Sequence, residues 1–109
     1  MSFQVVFLAS AEQDLKELKT YIIKEFGQKA WQTSYAKIKE SVEVLKTFPM
    51  SGSLPGELER LGLTQYRQII SGMNRIIYEP RQTVIYIHIV ADVRKDMRTL
   101  LTKRLLRSG

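Results

Sequence analysis

The chain has 109 residues, no cysteine and a formal net charge of +6. That length fits one domain over residues 1–109 with one modest core, and the missing cysteine excludes disulfides, a thiol nucleophile and a zinc ribbon. The N-terminus lacks a basic start and a long apolar run, and no stretch approaches the roughly 20 apolar residues of a membrane span, so a cytoplasmic location with no membrane partner is expected.

The apolar, β-branched run Phe3–Leu8 predicts a strand. A helix follows, with Ser10 as its cap, Gln13 in the capping-box position and Gly27 as its stop. Its apolar positions are Leu15, Leu18, Ile22 and Phe26. A second helix is expected from about Gln28 to Thr47, where Trp31, Tyr35, Ile38, Val42 and Leu45 form a narrow seam. The connection is so short that the two helices must fold back as a hairpin. Pro49 halts the second helix. The stretch PMSGSLPGELERLGLT reads as a loop with a helical turn in ELERL, and its glycines lack phosphate-loop or dinucleotide spacing.

Beyond Thr64 the period changes to two. QYRQII, RIIYE and TVIYIHIV, separated by SGMN and PRQ, predict a three-stranded antiparallel meander. Ile85, Ile87 and Ile89 are expected to pack on the hairpin, leaving Tyr86 and His88 on a half-exposed opposite face. Arg67 and Arg75 lie on neighbouring strands, and Arg94 and Lys95 follow the third, so these cations are expected to converge at one edge. A final helix is expected from about Lys95 or Asp96 onward, its start favoured by Asp92 or Asp96. Met97, Leu100, Leu101 and Leu105 are on its apolar side, and Arg98, Lys103, Arg104 and Arg107 are on its basic side. The fold class is therefore α+β: an N-terminal strand, an α-helical hairpin packed on an antiparallel sheet, and a C-terminal helix, in the order β-α-α-β-β-β-α.

Charge placement narrows the function. Residues 1–65 hold eight Lys/Arg and eight Asp/Glu, whereas residues 66–109 hold nine Lys/Arg and three Asp/Glu. A positive field focused on one half favours an anionic partner: nucleic acid, a ribosome or an acidic protein segment. The single histidine, His88, has no metal-ligand spacing around it, and no cofactor or metal is expected. No nucleophile elbow or carboxylate pair is present. Cleavage of RNA by its 2′-hydroxyl needs a base, an acid and cations for the phosphate. Arg67, Arg75, Arg94 and Lys95 are candidate cations, and Tyr66, Tyr78, Tyr86 or His88 candidate proton carriers, with no spacing that singles out one.

The order of elements, together with AEQDLKELKTYIIKEFG, LKTFPMSG, YRQII, NRIIYE and IHIVADVRKDMRTLLTKRLL, resembles the RelE/ParE toxins of type II toxin–antitoxin modules over nearly the whole chain. It looks most like the ParE branch. The resemblance implies one of two activities: poisoning of DNA gyrase, or ribosome-dependent mRNA cleavage as in RelE-like members. Arg67, Arg75 and Arg94 fall where ribonuclease members place basic residues. Their second strand cation is Ile69 here, and no tyrosine or histidine follows Arg94. These departures, and the long hairpin, favour the gyrase reading. The resemblance also implies a cognate antitoxin with an acidic, partly disordered tail, in a toxin–antitoxin hetero-oligomer. Arg67, Arg75, Arg94, Lys95 and Arg98 are then the candidates for target binding and toxicity. Tyr86, His88, Lys103 and Arg104 are the candidates for antitoxin binding.

Overall fold

The computed structural model describes residues 2–105, with the Leu105 side chain left out; the expectations for that side chain and for Arg107 lie outside the described residues. The run QVVF forms strand β1 (Gln4–Phe7), as β-branched and aromatic residues suit a pleated, half-buried surface. Helices α1 (Ala9–Phe26) and α2 (Gln28–Leu45) follow, then a short α3 (Gly56–Glu59). Strands β2 (Arg67–Ser71), β3 (Asn74–Arg81) and β4 (Val84–Asp92) precede α4 (Met97–Leu105). The expected order is found, with α3 as the helical turn inside the loop.

Gly27 alone joins α1 to α2. Its φ of 94° lies in the region that favours glycine, and its N–H bonds to the carbonyls of Ile22 and Ile23. Ser10 does not cap α1. The helix begins two residues earlier than that cap requires, at Ala9 after Leu8, whose own N–H is taken by the Ile87 carbonyl. Phe26, at the end of the expected apolar stripe, is 68% exposed and meets only the Tyr21 ring edge-on among the described aromatic pairs.

The sheet order is β1-β4-β3-β2. The β2-β3-β4 meander is antiparallel as expected, and β1 adds to β4 in parallel, with Val5 opposite Ile85, so the sheet as a whole is mixed. The hairpin buries one face. Ala11, Ile38, Val42 and Leu45 pack there against Ile76, Tyr78, Ile85, Ile87 and Val90. On the other face Leu58, Met97 and Leu101 cover Ile77, Ile89 and Ala91.

Ile89 is on the face opposite to the one expected. The β3–β4 register shifts between Ile77 and Tyr78: Ile77 stands opposite Ile89, and Tyr78 opposite Ile87. His88 is thus an extra residue in β4. One extra residue reverses the face of everything beyond it. Val90 takes the place under the hairpin, and Ile89 turns toward α4.

Candidate functional site

The register separates cations that were expected to converge. Arg67 pairs with Tyr78 and Arg75 with Ile70, and directly opposed residues share a face. Tyr78 faces the hairpin and Ile77 faces α4, so Arg67 lies on the hairpin side and Arg75 on the α4 side. Arg67 holds the loop after α2, donating to the carbonyls of Met50 (3.2 Å) and Gly52 (2.6 Å). The Gly52 N–H donates to the Tyr78 hydroxyl (2.9 Å), which donates to the Pro49 carbonyl (2.8 Å). Burial pushes the Tyr78 hydroxyl above the usual tyrosine range.

Arg75 is enclosed by acceptors. Its Nε donates to Gln68 (2.8 Å), and Nη1 and Nη2 donate to the two carboxylate oxygens of Glu57 on α3, both at 3.1 Å. This fork is the geometry that favours arginine over lysine. It holds the Glu57 carboxyl below its ordinary range. Arg94 is similarly forked onto Asp92, with both bonds at 2.9 Å, but its side chain is 69% exposed. The pair lowers the Asp92 carboxyl and raises the Arg94 guanidinium.

Arg104 reaches from α4 around the edge of β4. It donates two bonds to Asp14 on α1 (3.0 and 2.9 Å) and one to the His88 carbonyl (2.8 Å). Asp14 also accepts from the Val90 N–H at 3.0 Å. Between α1 and the end of β4 lies a cleft of about 370 Å³. Leu18, Tyr21, Val90 and Ala91 form its apolar wall, and its charged lining is Asp14, Glu17, Asp92, Arg94 and Lys95.

Lys95, Arg98 and Lys103 are exposed on and beside α4. Asp96 caps this helix, accepting from the N–H (3.2 Å) and hydroxyl (2.8 Å) of Thr99, which lowers the Asp96 carboxyl.

Tyr86 and His88 occupy the half-buried part of the sheet face that α4 leaves uncovered. The His88 Nε2 is 3.0 Å from one oxygen of buried Glu79, whose other oxygen accepts from the Arg81 Nε at 2.9 Å. The edge of Tyr66 meets the His88 ring, and the Arg81 guanidinium lies 5.6 Å from the Tyr86 ring centre. Burial lowers the His88 pKa, against the opposing pull of Glu79. Burial, and then the Glu79 charge, raise the Tyr66 hydroxyl.

The acidic partners Asp14, Glu57 and Glu79 were not singled out from sequence. Asp92–Arg94 has a local signal, two residues apart; Asp14 and Arg104 are 90 residues apart and have none. Among the described residues no cluster of metal-ligating side chains occurs, and no helix is long and apolar enough to cross a membrane.

An α+β unit with a helical hairpin on one face of a four-stranded sheet and a basic terminal helix on the other defines the class. The family profile described as ParE toxin of type II toxin-antitoxin system, parDE, matches residues 5–97, and the chain belongs to that family. It is a toxin of the ParE/RelE type. Its fold is similar to that of the chromosomal ParDE toxin–antitoxin system from P. aeruginosa, with a TM-score of 0.69 and 13% identity, over 84% of this chain and 96% of that one. It is also similar to the toxin–antitoxin complex RelBE2 from Mycobacterium tuberculosis (TM-score 0.58, 20% identity, 84% of this chain and 99% of that one). A mutant of E. coli toxin RelE in the free state overlaps 100% of both chains with a TM-score of 0.66 and 14% identity. No curated protein sequence matches significantly.

Proposed function

We propose that this chain is a ParE-like toxin that inhibits DNA gyrase in the cytoplasm and is neutralised by a cognate antitoxin. The observation that carries the reading is the ParE family match across residues 5–97. The side chains support it against mRNA cleavage. Arg75, at a position where ribonuclease members need a phosphate-stabilising cation, is forked onto Glu57. The single histidine turns its Nε2 to Glu79. From Arg94 to Arg104 no side chain is a tyrosine or histidine able to protonate a leaving group.

For the antitoxin, the apolar wall of the cleft beside α1 suits a segment that folds as it binds, and Lys95 at its edge suits an acidic residue of that segment. Lys103 and the half-exposed Tyr86 are open to such a segment, whereas His88 is already held by Glu79 and Arg104 by Asp14. The test is a supercoiling assay with purified gyrase, ATP and relaxed plasmid. Loss of supercoiling that is restored by co-purified antitoxin supports the reading; full supercoiling at excess toxin contradicts it.

A further inference from the structure

Sorting the cations of the C-terminal half by partner leaves a remainder. Arg67, Arg75, Arg81, Arg94 and Arg104 each donate to an oxygen within the chain. Among the described residues, Lys95, Arg98 and Lys103 are exposed and their side chains have no partner. Lys103 lies in the last turn of α4, where the helix dipole welcomes a cation. Lys95 and Arg98 lie at the opposite end, where the dipole opposes one. The dipole therefore accounts for Lys103 and leaves the other two unexplained.

The surroundings indicate the partner's chemistry. Among the described residues, the surface cleft at this place is lined by Asp96, Arg98, Thr99, Thr102 and Lys103, none of them apolar. The Asp96 carboxylate is engaged by Thr99, and the Thr102 hydroxyl by the Arg98 carbonyl. Protein interfaces are built around apolar and aromatic anchors, whereas nucleic-acid interfaces are polar and strongly positive. Among the described residues, the large exposed apolar side chains, such as Tyr21, Phe26, Phe48 and Ile70, belong to other elements. The basic face is also held in place: Met97 and Leu101 are buried beneath it, and Arg104 fastens the helix to α1. Within α4, Arg98 and Lys103 are separated by roughly 7.5 Å along the axis at 1.5 Å per residue, about two nucleotides of one duplex strand, and Lys95 precedes the helix.

We propose that the solvent face of α4 binds the phosphates of a nucleic-acid backbone through Lys95, Arg98 and Lys103, without reading sequence. The inference rests on the proposed function only for its cellular role, a grip on the DNA that gyrase holds.

The test measures anisotropy of a labelled 20-base-pair DNA duplex with the toxin alone, from 50 to 200 mM NaCl. Each phosphate contact contributes about −0.9 to the slope of log K against log salt. Replacing Lys95, Arg98 and Lys103 by serine should flatten the slope by about 2.7, and Arg98→Ala alone by about 0.9. The three positions are exposed, and circular dichroism checks that the variants fold. An RNA duplex of equal length shows whether RNA is bound as well as DNA; binding of either with this salt dependence supports the proposal. Wild-type protein that binds neither duplex overturns it, as does an unchanged slope in the folded triple variant. Binding of polyglutamate alone overturns it in favour of an acidic protein. No gyrase is present, so a negative supercoiling result and a negative result here are separate findings.

Discussion

Asp14 on α1 and Arg104 on α4 are joined by two parallel hydrogen bonds of 3.0 and 2.9 Å across 90 residues of sequence. The pair also completes the sheet. β1 stops at Phe7, opposite Ile87, while β4 continues to Asp92. Beyond that point the His88 carbonyl and the Val90 N–H have no strand neighbour on that side. Arg104 donates to the first, and Asp14 accepts from the second. An unpaired buried backbone group is costly, so these two side chains stand in for the missing length of β1.

Asp14→Ala should therefore lower stability by about 2–3 kcal/mol, because it strands both a guanidinium and a backbone N–H in a largely buried site. Arg104→Ala should cost a similar amount, and the double variant less than the sum. Urea unfolding of the four proteins measures this. Additive losses, or a single loss under about 0.5 kcal/mol, would show that the clasp contributes little.

Gly52 stands where a side chain has no room. An added Cβ would lie 2.6 Å from both the Gln68 carbonyl oxygen and the Tyr78 hydroxyl. Gly52→Ala should destabilise by about 2 kcal/mol or more by forcing backbone movement, and Tyr78→Phe by about 1–3 kcal/mol through the lost bonds to Gly52 and Pro49. Thermal unfolding should show both variants melting below the parent. An unchanged Gly52→Ala midpoint would mean that the loop shifts freely.

Stability should also respond to pH near neutrality. Burial lowers the His88 pKa below its ordinary 6.5, so the folded state resists a proton that the unfolded chain accepts. The associated stability is complete above about pH 6.5 and declines as pH falls toward the folded pKa. The lowered carboxyls of Glu57, Asp92 and Asp96 act in a separate, more acidic window: their stabilisation is present above the ordinary carboxylate range and is lost below it. Urea midpoints measured from pH 8 to 5 should fall below 6.5, and His88→Gln should remove that part of the slope. A variant with the parent's pH profile would assign the effect elsewhere.

Truncation after Val93 should abolish a stable fold. It removes Met97 and Leu101, which cover Ile77, Ile89 and Ala91, and it deletes Arg104 from the clasp. Uncovering an apolar face of this kind favours aggregation. Soluble yield and far-ultraviolet circular dichroism report the result; a soluble, cooperatively melting fragment would show that α4 is dispensable for folding.

The hairpin was legible because Gly27 is a clear stop and the α2 seam is regular. Trp31, Ile38, Val42 and Leu45 are all buried. Ile89 was not legible. A bulge leaves no mark in an alternating apolar run, and only the pairing with β3 reveals the extra residue at His88. The Ser10 cap failed for a tertiary reason, since the chain enters α1 directly from its bond to Ile87. Arg67 and Arg75 were separated by register: Arg75 stands opposite Ile70, three positions from Arg67, and an odd step places the two on opposite faces. Basic character at the C-terminus was visible in the sequence, but the neutralisation of Arg75 and Arg104 depends on Glu57 and Asp14, brought close only by the fold.

The most direct measurement incubates the purified toxin with gyrase, ATP and plasmid, quenches with detergent and protease, and separates the DNA. Programmed ribosomes with mRNA form a parallel reaction. Linear plasmid accumulating with toxin dose while the mRNA stays whole is the predicted result. Cut mRNA with gyrase unaffected would contradict the gyrase reading and direct attention to how Arg75 is released from Glu57.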